Sequence, residues 1–163
     1  MSFDVFLITF RNGVNAEADA SAARSVLERY RFKKSPEFDA YDLDFDDGSH
    51  LEMYTGGLDD SGKKFDGAMF ALRGFGAMIG TFIFEFSRAA GSAIFPAMEP
   101  ACVLLPRDDL AVHLPASVTE KFKQIPVANG EELLAALSGG YDAWRVYRDH
   151  IISKSDDAPA RET

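Results

Sequence analysis

Residues 41–46 alternate without a break. Tyr41, Leu43 and Phe45 are apolar, and Asp42, Asp44 and Asp46 are acidic. Successive side chains of an extended chain point to opposite faces, so a period of two predicts a strand with one buried and one wet face. Asp47-Gly48 follows as a turn signal, and His50 to Thr55 predicts the returning strand. The two candidate loops can be told apart by what they set opposite each other. A two-residue loop at Asp47-Gly48 sets Leu43 against Glu52 and Asp44 against Leu51, which mixes the faces. A three-residue loop, Asp46-Asp47-Gly48, sets Leu43 against Leu51, Tyr41 against Met53 and Asp44 against His50. Only the second matches apolar with apolar, so an antiparallel hairpin with Gly48 in the left-handed conformation is expected.

The other elements are read around this hairpin. Phe3 to Phe10 is aromatic and β-branched with little alternation, which predicts a central strand covered at least in part on both faces. Ala16 to Tyr30 carries Ala22, Ala23, Val26, Leu27 and Tyr30 at helical spacing. After the hairpin, a glycine-rich polar loop leads to a strand at Phe65–Leu72. A helix at Gly76–Ala90 then reads as apolar nearly all round, the mark of burial on more than one side. Pro96 and Pro100 bound an irregular stretch. Ala101–Leu105 and Leu110–Leu114 are expected as short strands, Thr119–Phe122 as a helical turn and Ile125–Ala128 as a further strand. Asn129 is an N-cap candidate for a helix through Leu137, stopped by Ser138-Gly139-Gly140. A last helix is expected at Tyr141–Ile152.

Strand, helix, strand, strand thus occurs twice, and Phe3-Asp4 and Phe65-Asp66 open the two halves. The expected class is α+β, a mostly antiparallel sheet with helices packed on one face. The chain has 163 residues, of which 47% are hydrophobic, enough for one core without disulfides or a metal. One domain at 1–152 is expected, followed by a disordered C-terminal tail at 153–163, where no apolar pattern remains.

The formal net charge of −9 argues against nucleic-acid backbone and anionic lipid as partners, because both demand clustered basic groups. A basic protein partner would suit it, and a homo-oligomer is compatible with the sequence. No basic n-region precedes an apolar stretch, and the most apolar segment, 74–84, is shorter than a membrane span of about 20 residues. Cytoplasmic location is expected. The single cysteine, Cys102, sits in Ala101-Cys102-Val103-Leu104-Leu105, which predicts a buried thiol rather than a nucleophile.

Few residues carry chemistry by pattern. Asp42, Asp44 and Asp46 have the opening spacing of a calcium loop, but position six would be Asp47 and position twelve Met53, so the pattern fails. Three carboxylates on one strand face repel one another, and a solvated face, a basic partner or a weak divalent-ion site would each accommodate them. Gly74, Gly76 and Gly80 miss the dinucleotide fingerprint by one residue, and close packing of the helix start on the sheet is the simpler account. Glu85 stands in Phe82-Ile83-Phe84-Glu85-Phe86, where a buried carboxylate must be paired or protonated. Arg88 lies at i+3, within reach on the same helix. Glu85 and Arg88 are therefore either a structural pair or the polar anchors of a ligand pocket. Tyr141, Trp144, Tyr147 and Arg148 share one side of the last helix, a docking face or a binding patch. His50, His113 and His150 have no metal-ligand spacing, and neither a metal nor a cofactor is expected.

The opening Met1-Ser2-Phe3-Asp4-Val5-Phe6-Leu7 and the ending Glu132-Leu133-Leu134, Gly139-Gly140-Tyr141-Asp142-Ala143-Trp144 resemble small uncharacterised bacterial proteins, which implies no activity. The doubled strand-helix-strand-strand order is similar to that of the GyrI-like ligand-binding domains, on architecture alone.

Two functions are compatible with these residues. One is a non-catalytic protein-binding domain, of immunity or adaptor type, with partner-binding candidates Asp42, Asp44, Asp46 and His50 on an acidic face and Trp144 on the last helix. The alternative is a small-molecule-binding domain or enzyme with a pocket at Glu85 and Arg88.

Overall fold

The apolar run at the N-terminus becomes the middle of the sheet. The computed structural model describes residues 3–35, 37–59 and 62–139. The first half of the chain holds β1 (Phe3–Ile8), the short pair β2 (Phe10–Arg11) and β3 (Val14–Asn15), and α1 (Ala20–Leu27). β4 (Phe32–Lys34), β5 (Ala40–Asp44) and β6 (His50–Tyr54) follow. The second half holds β7 (Gly67–Arg73), α2 (Ala77–Ala90), β8 (Ala93–Pro96) and β9 (Cys102–Leu105). A 3-10 helix (Asp108–His113), α3 (Ala116–Lys121), β10 (Lys123–Pro126) and α4 at residues 130–139 complete it.

Eight strands form one sheet in the order β10-β9-β8-β1-β7-β6-β5-β4, and β2 pairs with β3 apart from it. Every neighbouring pair in the large sheet is antiparallel except β10 with β9. β7 and β8 both run antiparallel to β1, so they are parallel to each other, and α2 crosses over β1 to join them. The inner order β8-β1-β7-β6 with its crossover helices is a split β-α-β arrangement. The chain is α+β, as its sequence predicts.

The repeated order survives as β1-α1-β5-β6 and β7-α2-β8-β9, with short strands added. The two runs sit differently in the sheet. In the second, the strand just after the helix, β8, lies beside the centre; in the first, the later strand, β6, does so.

The main core lies on one face. Phe3, Val5 and Leu7 of β1 join Leu43, Leu51, Met53, Phe70 and Leu72 from neighbouring strands. Ile79, Phe82, Ile83 and Phe86 of α2, Val26 and Leu27 of α1, and Leu133 and Leu137 of α4 close over them. Phe82 lies 6.0 Å from Phe70 and 5.0 Å from Tyr30, ring centre to ring centre, both near edge-to-face. Full burial of one such side chain contributes roughly 1.5–3 kcal/mol, so this helix–sheet seam is the main stabilising contact. α2 has the sheet beneath it and other helices beside it, which explains why it is apolar nearly all round.

A second, smaller core lies on the opposite face at one end. Alternation sends Ile94 and Leu104 to the main core, and Ala93, Phe95, Val103 and Leu105 to the other side. There they meet Leu110 and Leu114 around the 3-10 helix, Val118 of α3 and Phe122. The helices are therefore not confined to one face: α1, α2 and α4 take one side, and the 3-10 helix and α3 take the other over β8 and β9.

The hairpin expectation holds in detail. Tyr41 faces Met53, Leu43 faces Leu51 and Asp44 faces His50. Gly48 has φ +86°, and its N–H donates to the Phe45 carbonyl at 3.0 Å. The Asn129 cap also holds, with its side-chain oxygen accepting the Glu132 N–H at 2.9 Å. Other expectations are corrected. The first helix spans only Ala20–Leu27, because Asp19 caps it by accepting the Ala22 N–H at 3.0 Å. Residues 110–114 do not form a strand; Leu110 lies within the 3-10 helix and Leu114 just beyond it, both packed into the second core. Ala93–Pro96, which the sequence pattern leaves unassigned just ahead of the irregular stretch, is a fully buried strand, and Phe32–Lys34 adds an edge strand. Ser138 and Gly139 remain helical rather than ending α4. The expected helix 141–152, the tail 153–163 and Trp144 lie outside the described residues.

Candidate functional site

Among the described residues, nothing packs on part of the sheet face opposite α1 and α2, and the strand registers fix its pattern. Alternation aims Asp42, Asp44, His50, Glu52 and Tyr54 away from the main core, because Tyr41, Leu43, Leu51 and Met53 are buried in it. Across the strands these residues form transverse rows. One row runs Asp44, His50, Arg73. The next runs Lys33, Asp42, Glu52, Ala71, Asp4. The third runs Tyr54, Met69, Phe6, Phe95. Phe95 is sealed by the second core, but Phe6 is 42% exposed and Tyr54 39%. A carboxylate row thus lies directly beside a partly exposed aromatic row. β1 is thus covered in part on its second face, as its weak alternation predicts: Ile8 packs against the second core, whereas Phe6 stays open.

The acidic triplet is partly compensated within the chain. Asp44 lies 2.8 Å from Nδ1 of His50, and Asp42 lies 3.7 Å from its Nε2. Asp46 pairs with Arg31 at 3.3 Å. Glu52 stands opposite Asp42, a like-charge pair, and is itself held by Arg73 at 2.9 Å and by the Tyr54 hydroxyl at 3.0 Å. That hydrogen bond to the Glu52 carboxylate raises the Tyr54 pKa above its ordinary value. These pairs are exposed, so each contributes little to stability, but they set which charges a visiting surface would meet. Among the described residues no group of three or more His, Cys, Asp or Glu side chains is placed to hold a metal.

Glu85 and Arg88 line a separate site. A cleft of about 900 Å³ opens beside α2, bounded by the end of α1, Arg107 and the start of α4. The expected Glu85–Arg88 pair is absent. Glu85 instead accepts a hydrogen bond from the Tyr30 hydroxyl at 3.0 Å and pairs with Arg29 at 3.5 Å. α1 packs along α2, so a cation and a hydroxyl from just beyond its last turn reach Glu85 before Arg88 can. Burial, reinforced by the hydrogen bond to Glu85, pushes the Tyr30 pKa up to about 12. Arg107 is clamped by Asp109 at 2.8 and 3.0 Å and donates to the Arg88 carbonyl at 3.1 Å. The Arg107 guanidinium holds the Asp109 carboxyl below the usual range.

Two other sequence candidates fall to structural roles. Cys102 is buried, 3% exposed, and burial raises its thiol pKa, so it lacks the thiolate character a nucleophile needs. Gly80 does allow a close approach, but to α4 and not to the sheet: a Cβ there would stand 2.6 Å from the Gly130 carbonyl oxygen.

Sequence patterns alone do not single out Phe6, Glu52, Tyr54 or Arg73 on the open face, nor Arg29, Tyr30 or Arg107 at the cleft. Phe6, Glu52 and Tyr54 were legible in principle, since each occupies the outward position of an expected strand, and Arg73 lies one residue beyond the expected end of another. The second set comes together only through tertiary packing.

Among the described residues no helix is long and apolar enough to cross a membrane. Comparison with protein-family models, with curated proteins and with solved structures finds no match for this chain.

Proposed function

We propose that this chain is a non-catalytic protein-binding domain that engages a basic partner through the open face of β5, β6, β7 and β1. The single observation that carries this is the adjacency of the two rows: Asp42, Glu52 and Asp4 run beside Tyr54, Met69 and Phe6. Protein interfaces combine an aromatic centre with a polar rim, and Tyr, Phe and Met are enriched at their cores. Asp44 and His50 extend the acidic side at the edge of the patch. A partner bearing Arg or Lys would meet carboxylates already aligned, and the chain's charge of −9 would steer the encounter.

The test is affinity capture of native partners with the full chain at low and at high salt. Beside the wild type run two variants, Asp42→Asn/Asp44→Asn/Asp46→Asn and Phe6→Ala/Tyr54→Ala. A basic protein held by wild type, weakened by salt and lost with either variant supports the proposal. A partner retained equally by all three would place its contact elsewhere and sink it.

A further inference from the structure

The cleft beside α2 gathers arginines in a chain that is acidic overall. Arg29, Arg88 and Arg107 all line it, against the carboxylates of Glu85 and Glu131. These arginines are not equivalent. Arg29 faces Glu85, and Arg107 is fixed by Asp109 and by the carbonyl of Arg88. Arg88 is exposed, and its guanidinium has no hydrogen-bond or ion-pair partner among the described residues. Glu85, the carboxylate nearest it in sequence on α2, is already engaged by Arg29 and Tyr30.

A guanidinium is a planar fork of donors that matches a carboxylate or phosphate, and paired forks of this kind give the strong, oriented hydrogen bonds. The cleft supplies further donors. Asn129 caps α4 with its side chain, and Gly130 and Glu131 follow in the first turn, where backbone N–H groups have no acceptor within the helix. The helix dipole there adds partial positive charge. Phe84 and Ala89 contribute apolar wall.

We propose that this cleft is a binding site for a small organic anion, with its carboxylate or phosphate group held by Arg88 and Arg29. This site is separate from the open sheet face, and neither proposal depends on the other.

The experiment is a titration of the full chain by two-dimensional NMR with inorganic phosphate, and separately with succinate, against sodium chloride at matched ionic strength. Saturable shifts at the amides of Arg88, Gly130 and Glu131, absent with chloride, are expected with at least one probe. Which probe saturates first separates a phosphate ligand from a carboxylate ligand. Arg88→Ala should weaken that binding about tenfold or more, and Arg88→Lys should recover part of it. Arg73→Ala, on the opposite face, should leave it unchanged. Shifts no larger than those with chloride, or equal affinity for wild type and Arg88→Ala, would overturn the proposal. The Arg88 guanidinium has no partner among the described residues, so its variants should keep the wild-type spectrum elsewhere, and that spectrum confirms folding in the same experiment.

Discussion

Asp47 caps helix α2 from a turn 31 residues upstream of its contact: one carboxylate oxygen accepts the N–H of Met78 at 3.0 Å. The other accepts the Ser49 N–H at 2.9 Å and the Ser49 hydroxyl at 2.5 Å. Gly76, the N-cap residue, has no side chain to offer, so the hairpin turn supplies the acceptor that the helix lacks. Asp47→Ala should lower stability by about 1 kcal/mol near neutral pH, and Asp47→Asn by less, because an amide oxygen can still accept. The Ser49 and Met78 hydrogen bonds hold the Asp47 carboxyl below the usual range. A depressed folded-state pKa means that the contribution is present above the unfolded value and is lost as pH falls through the folded value. Urea titrations of wild type and Asp47→Ala should therefore converge in acid. A difference that persists unchanged at low pH would show that the carboxylate is not the capping group.

Tyr30 sets an alkaline limit. Its pKa is raised from 10.0 to about 12 by burial and by Glu85. Folding thus favours the protonated phenol, and this contribution is complete below the unfolded value and lost as pH rises toward the folded one. Wild-type stability should fall between about pH 10 and pH 12 more steeply than that of Tyr30→Phe. Denaturant unfolding across that range checks it. Parallel curves would mean that the phenol titrates alike in both states.

Gly80 marks the crossing of α2 and α4. A Cβ at this position would meet the Gly130 carbonyl oxygen at 2.6 Å and the Leu134 Cβ at 2.9 Å. Alanine would gain about 1 kcal/mol in helix propensity, but forcing two packed helices apart costs roughly 1–3 kcal/mol. Gly80→Ala should therefore be net destabilising by thermal and urea unfolding. A stabilised variant would mean that α4 yields at little cost.

Phe6 and Phe70 test which face of the sheet is open. Phe70 is fully buried and Phe6 is 42% exposed. Phe70→Ala should cost about 3–5 kcal/mol, while Phe6→Thr, which puts a strand-favouring β-branched residue in its place, should cost under about 1 kcal/mol. Urea unfolding of both variants decides it. A large loss at Phe6 would show that the aromatic row is packed against something and is not available to a partner.

Local signals in the sequence determined the pieces. The alternation at 41–46 fixed the register of β5 and β6, because a slip of one residue would send Leu43 and Leu51 to water. Asn129 marked the start of α4, and the unrelieved apolar content of residues 76–90 marked a helix buried on several sides. Where the signal had no period, it left one element unassigned and misassigned another. Ala93–Pro96 is buried on both faces and ends in proline, so nothing in its pattern distinguished a strand from a loop. Leu110 and Leu114 served a helical turn as readily as a strand.

Tertiary structure alone decided the sites. Glu85 found Arg29 and Tyr30 rather than Arg88, because α1 lies against α2 and places partners there that no spacing along α2 reveals. Phe6 became surface and Val5 became core only once the helices had chosen a face of the sheet. Period, caps and turns are properties of a few neighbouring residues and can be read in order. Strand order, helix crossings and the face left uncovered depend on which distant segments close on one another, and burial then assigns each side chain its role.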